Sequence, residues 1–158
     1  MKIFIGADHA GFGLKEKLTS YLKENGHEVV DKGAFEYNEN DDYPDFIIPV
    51  AREVSMHPNE VRGIIIGGSG QGEAMTANKL RGVRAAVFYH NADTIIEDDT
   101  GDIITISREH NNSNILSVGA RFVREEEVIA AVKKWLDTPF KDIERHLRRI
   151  TKMDRINQ

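Results

Sequence analysis

The chain has no cysteine among its 158 residues. That absence excludes disulfides, thiolate metal sites and thiol catalysis together, and it suits a reducing compartment. No apolar run approaches the ~20 residues needed to cross a bilayer, so no membrane partner is expected. The apolar stretch within Met1–Asp8 is too short for a signal peptide and reads as a first strand, which makes cytoplasmic the default location. Positive charge is in deficit, with 21 Lys and Arg against 26 Asp and Glu for a net charge of −5. A general nucleic-acid binder is therefore not expected. Internal repeats, low-complexity tracts and linkers are also missing. The six histidines show neither His-Glu-x-x-His nor another compact ligand spacing, so no metal is expected. What is present is a globular composition, 40% apolar and 30% charged, in a length suited to a single domain over 1–158 with a real core.

Along the chain, strands and helices alternate. Ile3–Ala7 reads as a buried strand, and Leu14, Leu18, Tyr21 and Leu22 recur at helical spacing up to a stop at Asn25-Gly26. Glu28–Val30 is a second short strand, followed by a polar loop to Asp42. A helix is predicted around Phe46–Val54, where Pro49 is tolerable only near the first turn. Val61–Ile66 is the third strand, with a glycine-rich loop and a helix through Lys79 after it. Val83–Phe88 and Ile115–Val118 supply two more strands, and helices over Glu125–Leu136 and Phe140–Met153 complete the pattern. Thr94–Ile96 and Ile103–Ile106, flanking Asp99–Asp102, read as an extra β-hairpin with an acidic turn. The expected class is α/β: one Rossmann-like (flavodoxin-like) three-layer domain with a five-stranded, mostly parallel sheet plus that hairpin. In such folds ligands bind beyond the C-terminal strand ends, the edge that holds Asp8-His9, the glycine loop and the segment after Phe88.

The most informative stretch is Gly67-Gly68-Ser69-Gly70-Gln71-Gly72-Glu73. Its glycines let successive N–H groups converge on one point, and a strand, a glycine nest and a helix start together suit an anion. It is not a dinucleotide fingerprint, because Glu73 stands where the third glycine belongs, and it lacks the Gly-Lys-Ser/Thr ending of a triphosphate loop. Glu73 fits a helix-dipole carboxylate as well as a general base held partly dry at the rim of the nest. Asp8 fits a helix cap, and His9 beside it suits a sugar hydroxyl or a phosphate. His110 lies in the polar loop Ser107–Asn112. Arg145 and Arg149 share one helical face at i and i+4, which suits either a phosphate dianion or a solvated basic face paired with Asp142 or Glu144. Arg121 after Gly119-Ala120 is a third cationic candidate.

Taken in order, these motifs resemble the ribose-5-phosphate isomerase type B family, which includes the galactose-6-phosphate isomerase subunits. The resemblance covers nearly the whole chain. It rests on Gly6–Gly11 with Leu14-Lys15, Asp42–Asp45, Gly67–Glu73 with Ala77-Asn78-Lys79, Gly82–Ala86, Ser107–Asn111, Gly119–Arg121 and Arg145-His146-x-x-Arg149. It implies cofactor-free aldose–ketose isomerisation of a sugar phosphate, with ribose 5-phosphate to ribulose 5-phosphate as first choice. A hexose 6-phosphate such as allose or galactose 6-phosphate is the alternative within that class. A non-catalytic sugar-phosphate sensor, or a flavodoxin-like nucleotide or signalling domain, is the alternative outside it. Some members use a cysteine just before the loop as base; that position is Gly67 here, and Glu73 matches the members with a glutamate after the loop. Carried over, Glu73 is the base and Ser69 a hydroxyl partner, with the N–H groups of Gly68, Gly70, Gln71 and Gly72 against the enediolate. His110 with Asp8 opposite handles ring opening, Asn111 and Tyr43 orient hydroxyls, and His9, Arg121, Arg145, His146 and Arg149 hold the phosphate. The resemblance also implies a homodimer or dimer of dimers with shared sites and the 140–153 helix at a subunit interface. The spacer His90–Ile106 is longer than the family's usual short link, and the predicted hairpin fills it.

Overall fold

A computed structural model of the chain describes residues 1–92 and 101–156. In chain order the elements are β1 (Lys2–Ala7), α1 (Phe12–Glu24), β2 (Glu28–Asp31), α2 (Pro44–Met56), β3 (Arg62–Gly67) and α3 (Gln71–Ala77). They continue with β4 (Ala85–Phe88), α4 (Ile103–Glu109), β5 (Ile115–Gly119), α5 (Glu125–Asp137) and α6 (Glu144–Asp154). The five strands form one sheet in the order β2-β1-β3-β5-β4, and each of the four pairings is parallel.

Side chains alternate across a strand, and the central strands are apolar on both faces. Ile3, Ile5, Ile64, Ile66, Leu116 and Val118 join Leu18 and Leu22 of α1 and Val128, Val132 and Trp135 of α5 in one core. Phe4, Ile65 and Ile115 face the other way and join Ile47, Val50 and Val54 of α2 and Ala77 of α3. Three layers follow from that doubled burial. Trp135, fully buried, donates its indole N–H to Ser113 Oγ at 2.8 Å. β4 lies at an edge of the sheet. There the Asn78 side chain mimics a neighbouring strand: its Oδ1 accepts from Ala85 N at 2.8 Å and its Nδ2 donates to Ala85 O at 3.1 Å.

Three expectations are corrected. Ile103–Ile106 is not a hairpin arm but the first turn of α4. Asp102 caps that turn, accepting from Ile104 N and Thr105 N at 3.0 and 3.1 Å and pairing with Lys134, so an acidic residue read as a turn begins a helix. The other proposed arm, Thr94–Ile96, lies outside the described residues, as do Glu97, Asp98 and Asp99. Helix α2 begins at Pro44, not Phe46, so Pro49 sits in its second turn, where proline withholds the N–H that would reach back four residues. Helix α6 begins at Glu144, four residues later than its periodicity predicts. Lys141 N instead donates to Glu109 O at 3.1 Å.

Candidate active site

Two groups of candidate residues occupy opposite edges of the sheet. The first lies where the strands end. β1 runs into Asp8, whose Oδ1 accepts from Ala10 N at 3.0 Å and Gly11 N at 3.2 Å. The N-cap of α1 is Gly11, with no side-chain cap, so Asp8 does not cap that helix as expected but closes the turn before it, with its side chain buried. β3 runs into the glycine loop. Gly70 takes φ +73°, a left-handed conformation that favours glycine, and its carbonyl accepts from Ser117 Oγ at 2.6 Å. Ser69 Oγ accepts from Gln71 N at 3.3 Å, and Gln71 itself is exposed.

The absence of side chains at three glycines leaves room for three neighbouring side chains. A Cβ at Gly67 would lie 1.7 Å from Glu73 Oε1, so the Glu73 carboxyl fills the volume that any side chain at 67 would need. A Cβ at Gly72 would meet the Tyr43 hydroxyl at 2.7 Å, and one at Gly68 the Arg121 guanidinium at 3.3 Å. Tyr43, Arg121 and Glu73 therefore converge on the loop. Glu73 is only 4% exposed, and its Oε2 has no partner among the described residues. Burial holds its carboxyl above the usual carboxylate range, and the charge of Asp8 adds to that shift. An ionised carboxylate with one oxygen free and little water around it is a strong base for an adjacent proton.

His9 follows Asp8 at the end of β1. Its Nδ1 is 2.6 Å from Asp41 Oδ1, and the same oxygen accepts from His9 N at 3.1 Å. Sequence reasoning missed Asp41, because it sits in an acidic loop 32 residues away with nothing local to distinguish it. Asp8, His9 and Asp41 each offer one ligand atom within 4.8 Å of the others, and His9 Nδ1 and Asp41 Oδ1 are hydrogen-bonded to each other.

The second group lies where the strands begin. The parallel register pairs Gly63 with Ile115 and Gly67 with Gly119, so residues just before Ile115 are a full strand length, roughly 13 Å, from the glycine loop. His110 is the C-cap of α4, and its ring stacks on His146 at 4.3 Å and 29°. Burial, followed by the charges of His146 and Arg145, lowers the His110 pKa below the ordinary histidine value, favouring a neutral imidazole. His146 is 1% exposed with an unpartnered Nδ1. Asn111 lines a cleft of about 500 Å³ together with Arg81, Arg84, Met153 and Asp154. The basic face is not neutralised as one sequence reading expects: Glu144 pairs with Arg148. Among the described residues, Arg145 and Arg149 have no carboxylate partner, and both are exposed. Within one chain, then, Glu73, Asp8, His9, Tyr43, Ser69 and Arg121 come together, whereas His110, Asn111, Arg145, His146 and Arg149 form a separate cluster.

Comparison with known proteins identifies the relatives of the chain. A family model described as Ribose/Galactose Isomerase matches residues 3–153. The ribose-5-phosphate isomerase B of Mycobacterium tuberculosis is 38% identical over 150 residues, covering 95% of this chain and 86% of the relative. That of Escherichia coli is 36% identical, covering 99% and 97%. Among solved structures, ribose-5-phosphate isomerase B from Mycoplasma genitalium with bound ribulose-5-phosphate superposes with a TM-score of 0.88 at 38% identity, covering 99% of this chain and 95% of that one. The Clostridium thermocellum enzyme gives 0.87 at 39%, covering 99% and 97%.

Proposed function

The chain belongs to the ribose/galactose isomerase family, and on that premise we propose that it interconverts ribose 5-phosphate and ribulose 5-phosphate through an enediolate with Glu73 as base. The observation that carries this reading is the buried Glu73 carboxyl over Gly67, with one oxygen unpartnered. Glu73 removes the proton at C2 of the open-chain aldose and returns it at C1. The charge that develops on the sugar oxygens lies against the N–H groups around Gly68–Gly72, preorganised donors typically worth about 3 kcal/mol each in the transition state. The Ser69 hydroxyl adds a further partner, Tyr43 orients a sugar hydroxyl, and Arg121 and His9 attract the phosphate. The reaction needs no redox partner, because the hydrogen lost at C2 is regained at C1.

The remaining groups come from a second copy of the chain. His110, too far from Glu73 to share a ligand within one chain, reaches the site when the strand-start edge of one copy packs against the strand-end edge of another. Helix α6 suits that packing: Ile143 just before it and Leu147 and Met153 within it are 48%, 45% and 44% exposed, a stripe that a monomer leaves wet. Neutral His110 then takes the proton of the anomeric hydroxyl and passes it to the ring oxygen as the C1–O bond opens, and Arg145 and Arg149, without carboxylate partners among the described residues, clamp the phosphate.

Two experiments test this reading. In a panel of aldose phosphates followed by proton exchange at C2, ribose 5-phosphate is expected to turn over fastest. Absence of exchange with every pentose and hexose phosphate would remove the enzyme reading, and preference for allose or galactose 6-phosphate would move it to the hexose branch. Gly67→Ala, whose Cβ collides with Glu73 Oε1, is expected to displace the carboxylate and cost about 10²-fold in turnover with the circular dichroism spectrum retained. Undiminished turnover would show that the carboxylate does not act from that position.

A further inference from the structure

We propose that Asp41 is a positioning residue that locks His9 with its Nδ1 protonated and its Nε2 presented to the substrate. This inference rests on the isomerase reading for its kinetic consequence but not for its geometry. Asp41 grips His9 twice through one oxygen, at the backbone N–H (3.1 Å) and at ring Nδ1 (2.6 Å). An ionised carboxylate can only accept, so Nδ1 carries the proton and Nε2 is the nitrogen left for a ligand. The Tyr37 ring meets the imidazole edge-on at 6.4 Å and 88°, which restricts rotation from a second side. The Asp41 side chain is only 7% exposed, against 23% for His9, so the carboxylate lies beneath the ring and the ring faces outward.

Asp41 Oδ2 is buried with no partner. A buried, unsatisfied carboxylate oxygen is costly, and a loop residue whose only task was solubility would not bear that cost. The acidic group that faces His9 besides Asp41 is Asp8, and its Oδ1 is already spent on Ala10 and Gly11. Asp41 is thus the group that orients the ring, much as an outer carboxylate fixes a metal-bound imidazole. The link also ties the end of β1 to the loop that delivers Tyr43, so the two substrate contacts are held relative to each other.

The test combines kinetics with a spectroscopic readout that needs no turnover. Nitrogen-15 NMR of the parent's neutral His9 is expected to show the Nδ1–H tautomer, and Asp41→Ala to release it to a mixture. The same variant is expected to raise KM for ribose 5-phosphate about tenfold with kcat nearly unchanged. Asp41→Asn keeps an accepting oxygen and is expected to restore most of the affinity. In a His9→Ala background Asp41→Ala should add nothing further to KM. An Nε2–H tautomer in the parent, or additive effects of the two substitutions, would overturn the proposal. A locked tautomer in a chain that isomerises no sugar phosphate would leave the Asp41–His9 link standing and remove the functional reading alone.

Discussion

Glu73→Gln is expected to lower kcat for the isomerisation by about 10³-fold with KM little changed. Glutamine has nearly the shape of glutamate and keeps the loop's N–H groups in place, so sugar-phosphate binding survives while the proton acceptor is lost. Full activity in the variant would exclude Glu73 as base. The pH dependence follows from the same burial. A Glu73 base acts as the carboxylate, and burial raises its pKa, so on the proposed mechanism the acid limb of kcat/KM is expected above the ordinary glutamate range. Stability has the opposite sense. The raised pKa favours the protonated folded state, a contribution fully present below the unfolded-state value and lost as pH rises through the folded one. Above that window the parent carries a poorly solvated charge that glutamine lacks. The variant is thus expected to melt higher than the parent at neutral pH, and the gap to close on acidification. A variant that melts lower at neutral pH and lower still in acid would contradict the burial account.

Mixing two inactive variants is expected to restore activity. Glu73→Gln and His110→Asn each remove one contribution to every site in a homodimer. If sites form between the strand-end edge of one copy and the strand-start edge of the other, a mixed dimer has one site with both residues intact and one with neither. Random exchange of equal amounts yields half mixed dimers, so about one quarter of the sites recover in a two-fold dimer. Unfolding and refolding the two variants together, then assaying against each refolded alone, measures this. If no activity returns while a tagged pull-down shows mixed dimers, Glu73 and His110 do not serve one site from different chains. The separation of the two groups by the length of β5 makes that outcome hard to reconcile with any role for His110.

The sequence made the strand-end half of the site legible because its parts are local: Gly67–Glu73 is contiguous and follows an apolar strand. Its internal fit was not legible. That the Glu73 carboxyl lies over Gly67 depends on the angle at which α3 leaves β3, and that Gly72 makes room for Tyr43 depends on how α2 and α3 pack together. Asp41 was hidden for the same reason, since its partner lies across the loop cluster. The division into two edges was in principle readable. His110 precedes β5 whereas the glycine loop follows β3, and in a parallel sheet those positions fall at opposite ends. The Ile103–Ile106 error came from weighing β-branched residues as strand formers, whereas the Asp102 cap and the burial of Ile104, Ser107 and Arg108 at helical spacing decide for a helix. Tertiary packing outweighed local propensity there.

The Asn78 amide that pairs with Ala85 has a bearing on what the edge of the sheet can recruit. An open sheet border offers its free backbone groups to any passing strand, and such borders invite indefinite fibre growth. Here the outward amide and carbonyl of Ala85 are already taken, and an invading strand would have to displace two hydrogen bonds of about 1 kcal/mol each. Strand addition along the β4 border is thereby disfavoured where that strand begins.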